Sequence, residues 1–257
     1  MSARSGSPRE KPAESARKAL EMLLLFDEDQ PTLTVAAMAD AVGVPLSTTY
    51  RYVAILRDMG LLEATDRGAY QVGDRVVPLA RAARAGRGPL LGHARPVMEA
   101  LRDACDETVV LVRRTGDMAF CLDIVESQQA VRLSVETGRP MVLHEGSSPR
   151  VLLACMPAAE RAAYLDRVRA QDGALASQLD ERELDRVAEL GFTESYEELS
   201  DGIWGTAAVI RDGETVVASL GVAGPLFRLT AEQRQAITER TRSAAAQISA
   251  ALETVSL

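Results

Sequence analysis

The stretch that decides the fold reads LTVAAMADAVGVPLSTTYRYVAILRDMGLLEATDRGAY and runs from Leu33 to Tyr70. Its first part predicts a short helix, because four apolar residues recur at the spacing of one buried helical face. These residues are Val35, Met38, Ala39 and Val42. Thr34 stands just before them, where its side-chain oxygen can cap the free N–H groups of the first turn.

A tight turn and a second helix follow. Gly43 can adopt the positive φ that ends a helix, and Pro45 is tolerated at the start of the next one. The second helix again has one face to bury and an outer face that carries hydroxyl groups and arginines. The inward residues are Thr49, Tyr52 or Val53, and Leu56; the outward residues are Ser47, Thr48, Tyr50, Arg51 and Arg57. Two short helices joined in this way are typical of a helix-turn-helix.

A hairpin is predicted directly after the second helix, which Gly60 ends. Its strands are Leu61–Ala64 and Ala69–Val72, and the turn is Asp66–Gly68. An ordinary helical hairpin would not account for the cap, the turn, the polar outer face and the hairpin together. The stretch therefore predicts a winged helix-turn-helix that binds double-stranded DNA. The candidate DNA contacts are Thr34, Ser47, Thr48, Tyr50, Arg51, Arg57 and Arg67.

Length and composition limit the number of domains and the class of protein that the chain can form. Its 257 residues predict two domains, and 47% hydrophobic with 26% charged residues is typical of a folded protein. No apolar run approaches the roughly 18 residues of a membrane span, and the N-terminus has no signal-peptide core. We therefore expect a cytoplasmic protein with no membrane partner. The net charge of −8 argues against sequence-blind DNA binding but not against specific binding through local arginines.

The chain is predicted to have four parts. Residues 1–14 form a disordered arm, 15–75 the DNA-binding domain, 76–89 a linker helix and 90–257 a second domain that binds an effector and forms oligomers. A helix over Ser15–Phe26 is expected to cover the helix-turn-helix core with one apolar face. That face comprises Ala16, Leu20, Leu23 and Leu24.

The second domain mixes helices with strand-like runs that turn signals separate. The strands are predicted at Thr108–Arg113, Met118–Val125, Val131–Val135, Phe192–Glu197, Thr206–Arg211 and Thr215–Val222. Helices are predicted at Ser147–Cys155, Ala158–Arg169, Asp180–Leu190 and Leu229–Leu252. Thr230 and Gln233 have the spacing of a capping box. The pattern indicates an α+β fold built on one antiparallel sheet.

With these parts joined, the chain from Ser15 onward resembles the IclR family of bacterial transcriptional regulators. The segments that carry the resemblance are VPLSTTYRYVAILRDMGLL, VLHEGSSPRVLLACMP, GFTESYEELSDGIWGTAAVIRDGETVVASLGVAGP and the closing helix. Pro149-Arg150 departs from the Gly-Lys usual in the family but keeps the positive charge. The resemblance implies a GAF-like effector domain, dimerisation through the N-terminal domain and linker helix, and often a dimer of dimers on a palindromic or pseudo-palindromic operator.

The resemblance also implies a pocket on the second domain's sheet that binds small, often carboxylate-bearing metabolites. The matching positions are Leu143, Ser147, Ser148, Ser195, Ile203, Gly205, Gly221 and Ala223. Serine hydroxyls and N–H groups at a helix N-terminus favour an anion. Small residues at Gly205, Gly221 and Ala223 predict a roomy cavity and an aromatic or extended carboxylate, unless they only allow tight sheet packing. Trp204 is expected to flank this pocket.

Catalysis has no support in the sequence. The two histidines, His93 and His144, lie in different elements, and Cys155 falls on an apolar helical face. The three cysteines and two histidines match no metal-ligand spacing, so we expect no catalytic residue, metal or cofactor. The sequence predicts an effector-controlled transcriptional regulator, with a repressor favoured over an activator. The alternatives are a regulator with a collapsed pocket, and an enzyme or adaptor whose helix-turn-helix contacts proteins.

Overall fold

The computed structural model describes residues 10–27, 29–86, 88–171 and 180–254. The chain divides into two compact units, Met1–Arg87 and Gly88–Leu257. Each unit has its own hydrophobic core, and the second unit has one on each face of its sheet. Among the described residues, no helix combines the length and the apolar character that crossing a membrane requires.

The first unit is a three-helix winged motif followed by one more helix. Its helices are α1 (Glu10–Leu23), α2 (Val35–Val42), α3 (Leu46–Asp58) and α4 (Val76–Ala85). Its strands are β1 (Thr32–Leu33), β2 (Leu62–Ala64) and β3 (Tyr70–Val72), in the antiparallel order β1-β3-β2. The winged helix-turn-helix is confirmed. The two-residue strand β1 was not predicted, because it is too short to carry a periodic pattern.

The local signals around α2 and α3 act as expected. The Thr34 hydroxyl accepts a hydrogen bond from the N–H of Ala37 at 3.2 Å and so caps α2. Gly43 ends α2 with a φ of 67°, in the left-handed region that favours glycine. The predicted inner face of α3 is buried, including both alternatives at Tyr52 and Val53. The helix-turn-helix is therefore specified by its own local sequence.

The predictions for α1 are wrong in two respects. The helix begins at Glu10, so residues 10–14 are its first turns and not part of a disordered arm; residues 1–9 lie outside the described residues. Its buried side chain is Met22, whereas Leu20 and Leu24 are 55% and 81% exposed and Ala16 is also exposed. A nearly continuous apolar run does not define which helical face is buried. The consequence is an apolar strip left on the surface of this unit.

The linker region is also shorter than predicted. Helix α4 ends at Ala85, and Gly88 already opens the first helix of the second unit. That helix is α5 (Gly88–Cys105), and the unit's others are α6 (Ser147–Ala154), α7 (Ala158–Gln171), α8 (Glu181–Leu190) and α9 (Ala231–Glu253). The capping box predicted for α9 is present: Thr230 and Gln233 each accept from the other's backbone N–H.

The second unit is built on a six-stranded antiparallel sheet of order β6-β5-β4-β9-β8-β7. The strands are β4 (Thr108–Thr115), β5 (Met118–Val125), β6 (Pro140–Val142), β7 (Phe192–Tyr196), β8 (Ile203–Asp212) and β9 (Thr215–Pro225). Helices α5 and α9 contribute to the core on one face, and α6, α7 and α8 to the core on the other. The predicted α+β antiparallel fold is confirmed.

One predicted strand, Val131–Val135, is absent, although its residues favour strands. The side chains of Thr108 and Arg228 donate hydrogen bonds to the carbonyls of Leu133 and Val131, respectively, and hold the segment as an irregular connection. Strand β6 instead pairs with the edge of β5. A strand needs a free sheet edge in register, which side-chain pattern alone does not predict.

A buried ion pair connects the end of β9 to the start of β4, the two central strands of the sheet. Arg228, just after β9, donates to both carboxylate oxygens of Glu107, with Nε–Oε1 at 2.7 Å and Nη2–Oε2 at 2.6 Å. The Glu107 side chain is only 3% exposed. It lies directly over Gly224, where a Cβ atom would collide with the carboxylate. This two-bond pair fixes the end of β9 against the start of β4.

Removing one member of this pair should destabilise the second unit. We expect Arg228→Gln to lower the free energy of unfolding by about 3 kcal/mol, because it leaves a buried carboxylate without its cation. Urea unfolding measures the loss. The double variant Glu107→Gln/Arg228→Gln should recover part of it, and Arg132→Gln, which breaks a half-exposed pair with Glu126, should cost less than about 1 kcal/mol. Equal losses in Arg228→Gln and Arg132→Gln would contradict the assignment.

Candidate DNA-binding and ligand-binding sites

The outer face of α3 presents the predicted DNA contacts. Ser47, Tyr50, Arg51 and Arg57 are exposed, and Thr48 is half-buried. These side chains face the solvent because the opposite face of α3 is buried in the core of the first unit. An exposed helical face with hydroxyl, phenol and guanidinium groups is suited to the major groove of DNA.

The guanidinium groups on this side of the unit are not held by strong protein contacts. Arg51 lies with its Cζ atom 5.7 Å from the ring centroid of Tyr52, and Arg57 has only a 3.9 Å contact with Asp58. Arg67 is exposed in the turn between β2 and β3. Among the described residues, Arg51 and Arg67 have no ion pair. Thr34 is exposed, but its hydroxyl already caps α2.

A second candidate site is a cavity of about 50 Å³ between the sheet and the start of α6. Six of the nine predicted effector positions line it: Ser147, Ser148, Ser195, Ile203, Gly205 and Ala223. They come from α6, β7, β8 and β9, so the sheet register brings together residues that are far apart in sequence. Leu143, Trp204 and Gly221 do not line it.

Each of these three exceptions has a structural reason. Trp204 is fully buried among the residues that face α5 and α9, because side chains along β8 alternate between the two faces of the sheet. The prediction that it flanks the pocket is therefore wrong. Leu143 is buried in the core beneath α6, α7 and α8. A Cβ atom at Gly221 would collide with the Ser148 hydroxyl, so this glycine allows α6 to approach β9 closely.

The predicted effect of the small residues also needs correction. A Cβ atom at Gly205 would lie 3.0 Å from the Ser147 hydroxyl and 3.1 Å from the Ser195 hydroxyl. The space that Gly205 and Gly221 leave is thus taken by serine side chains of α6 and β7. Tight packing at the glycines accounts for a cavity that is small rather than roomy.

Most of the backbone donors at the start of α6 already have partners. The N–H of Ser147 donates to the Ser195 hydroxyl at 3.1 Å, and that of Gly146 donates to the Glu198 carboxylate at 3.0 Å. Pro149 has no N–H. Glu198 also pairs with Arg150 at 2.6 Å. The helix start is therefore occupied largely by the protein's own acceptors.

Sequence reasoning missed the outer wall of the cavity. This wall comprises Leu133, Val135, Met141 and Leu199. The first two lie in the segment that was predicted as a strand, and Leu199 lies in the loop between β7 and β8. Neither an irregular segment nor the three-residue strand β6, which contains Met141, carries a periodic pattern from which a role as a cavity wall can be inferred.

The three cysteine thiols are partly or fully buried. Burial raises the pKa of the Cys105 and Cys121 thiols to about 11 and also raises the pKa of Cys155, so all three remain protonated near neutral pH. Within the described ranges, no group of three or more His, Cys, Asp and Glu side chains is arranged to hold a metal ion.

His144 is tied to the segment that leads into α6. Its Nδ1 lies 2.6 Å from the Tyr164 hydroxyl, which also accepts the N–H of Leu143 at 3.0 Å. The hydroxyl can donate to Nδ1 only while His144 is neutral. Burial lowers the pKa of His144 below its ordinary value of 6.5, which favours this neutral form.

Family comparisons agree with this architecture. The family model described as the IclR helix-turn-helix domain matches residues 15–66, and that described as the bacterial transcriptional regulator IclR C-terminal domain matches residues 83–250. The chain therefore belongs to the IclR family of bacterial transcriptional regulators, which join a DNA-binding helix-turn-helix to an effector-binding domain.

Individual relatives match nearly the whole chain. The HTH-type transcriptional regulator KipR of Bacillus subtilis is 31% identical over 237 residues, covering 90% of this chain and 94% of that protein. The HTH-type transcriptional repressor AllR of Escherichia coli is 26% identical over 249 residues, covering 95% and 92%. A crystal structure of an IclR homolog from Microbacterium hydrocarbonoxydans, complexed with 4-hydroxybenzoate, shares the fold with a TM-score of 0.72 at 23% identity, covering 93% and 99%.

The His144 contact predicts a pH dependence. Because the pKa of His144 is lowered on folding, the unfolded chain binds more protons as the pH falls through 6.5, and stability should decrease below that value. His144→Asn keeps an acceptor for Tyr164 and should flatten the dependence of the melting temperature between about pH 7 and pH 5. His93→Asn, which alters the other histidine, serves as the control. An unchanged slope in His144→Asn would contradict this assignment.

Proposed function

We propose that this protein is a repressor that binds a specific operator and whose affinity for that operator is changed by a carboxylate-bearing small molecule bound in the second unit. The observation that carries the DNA-binding part is the exposed outer face of α3. In this proposal Ser47, Thr48, Tyr50 and Arg51 enter the major groove, and Arg51 reads a guanine or contacts a phosphate. Thr34, Arg57 and Arg67 contact the DNA backbone.

The operator is proposed to be palindromic or pseudo-palindromic and to be bound by a homodimer, with a dimer of dimers as the larger assembly. Two surfaces of the first unit support self-association. Leu20 in α1 and Leu24 just after it are exposed, and α4 exposes Val77 and Leu79. With a net charge of −8, a single recognition helix gains little from non-specific attraction to phosphates, so paired half-sites about 34–36 Å apart would supply the affinity.

Repression and the absence of enzymatic activity are supported by the relatives. AllR is named a repressor, and KipR is named a transcriptional regulator. The buried cysteine thiols, which stay protonated, do not support an enzymatic activity.

The first alternative, a regulator that acts without an effector, is favoured by one observation only: the inner cavity of about 50 Å³ is small for an organic ligand.

The effector part of the proposal is supported by the cavity and by the neighbour that carries 4-hydroxybenzoate, an aromatic carboxylate. The proposed contacts are the serine hydroxyls of Ser147, Ser148 and Ser195 and the small or apolar residues Ile203, Gly205 and Ala223. The signal would pass to the DNA-binding unit through α4 and the start of α5, the covalent connection between the units.

Arg51→Ala should weaken operator binding by about 1–3 kcal/mol if Arg51 reads a base. Fluorescence anisotropy with a labelled operator fragment measures the dissociation constant at fixed salt. Arg186→Ala, which removes an exposed arginine from α8, is the matched control and should bind like the parent protein. Parent-like affinity in Arg51→Ala would contradict this placement of the recognition helix.

The effector should change operator affinity by about fivefold or more, the usual range of allosteric coupling. The same anisotropy assay is repeated with a panel of monocarboxylates that includes 4-hydroxybenzoate. Ala223→Leu, which fills the inner cavity, should abolish the response, whereas Gly92→Ala, at a helical position with open space around it, should not. Operator affinity that no compound alters would favour the effector-independent regulator.

A further inference from the structure

A second, larger cavity adjoins the inner one. It has a volume of about 400 Å³ and opens beside the connection that precedes α6. The two cavities share four lining residues: Leu133, Val135, Met141 and Leu199. All four are apolar and only partly buried or exposed, and Leu199 is 52% exposed. The two spaces therefore meet at apolar side chains from the connection after β5, from strand β6 and from the loop after β7.

The inner cavity is a poor place for a charge. None of its lining residues is ionisable, and its polar groups are serine hydroxyls. The nearby N–H groups of Gly146 and Ser147 already donate to Glu198 and Ser195. A carboxylate buried there would lose its hydration without gaining a cation, which is costly. A neutral polar group such as a hydroxyl fits these serines better.

The outer cavity has a cation available. Arg139 lines it, is exposed, and has no hydrogen bond or ion pair within the described part of the chain. Glu145 also lines this cavity, and its Oε1 lies 3.8 Å from Nε2 of His144. A guanidinium without a partner at the rim of an apolar space favours a carboxylate. The negative charge of Glu145 disfavours a second anionic group.

We infer that the effector is an elongated amphipathic monocarboxylate that spans both cavities, with its carboxylate on Arg139 and a neutral polar end at the serines. This inference rests on the proposed function, because it concerns the ligand of the same domain. The apolar body of the ligand takes the place of the dividing side chains, of which Leu199 and Met141 are the most readily turned aside. Arg139 is then the residue that selects an anion.

The test uses calorimetric titration of the full-length protein. The probes are 4-(4-hydroxyphenyl)butanoate, its neutral amide, and benzoate, which is too short to reach both cavities. The butanoate should bind at least about tenfold more tightly than the amide and than benzoate. Arg139→Gln should lose about tenfold in affinity for the butanoate and little for the amide. Arg132→Gln, seven residues away in the same connection and paired with Glu126, should match the parent protein.

Two results would contradict the inference, and they have different consequences for the proposed function. If the butanoate binds Arg139→Gln as tightly as the parent protein, while Ser147→Ala/Ser148→Ala loses affinity, the carboxylate lies at α6; the proposed function survives. If no probe binds the parent protein, the spanning ligand is contradicted, and the operator assay with the monocarboxylate panel decides separately whether another carboxylate is the effector. Operator binding, tested through Arg51, is independent of either result.

Discussion

The close approach of α6 to the sheet is the constraint on which the second unit's ligand-binding region depends. The hydroxyls of Ser147 and Ser148 occupy the space beside Gly205 and Gly221, where any larger residue would push the helix away. This contact determines both where the cavity lies and how small it is. It also brings the N-terminus of α6 within reach of acceptors on β7 and on the loop that follows it.

Two irregular segments complete the cavity, and polar contacts hold each of them. The connection after β5 is fixed by Thr108 and by Arg228, whose pairing with the buried Glu107 orients its guanidinium. The loop after β7 is fixed by Glu198, which bonds to Arg150 and to the N–H of Gly146. Because the backbones are held while the apolar side chains between them are partly exposed, side-chain movement is the least costly way to admit a ligand.

The arginines that we single out differ between the two units in whether they are paired with carboxylates. In the first unit, the arginines of the outer face of α3 and of the wing have no strong internal partner, as the proposed contacts with DNA require. In the second unit, Arg150 and Arg228 are engaged by carboxylates of the same chain and serve the fold. Arg139 has no such partner among the described residues and lines the outer cavity, which is why the proposal assigns it to the ligand.

The sequence by itself determined the winged helix-turn-helix, the capping box of α9 and the family, because caps, turn glycines and helical periodicity are local signals. It also identified six residues that line the inner cavity, through resemblance to relatives. Only the tertiary structure decided which face of α1 is buried, that 131–135 is not a strand, and that Trp204 faces away from the cavity. These depend on sheet register and on contacts between distant segments, such as Thr108 with Leu133, which no local pattern encodes.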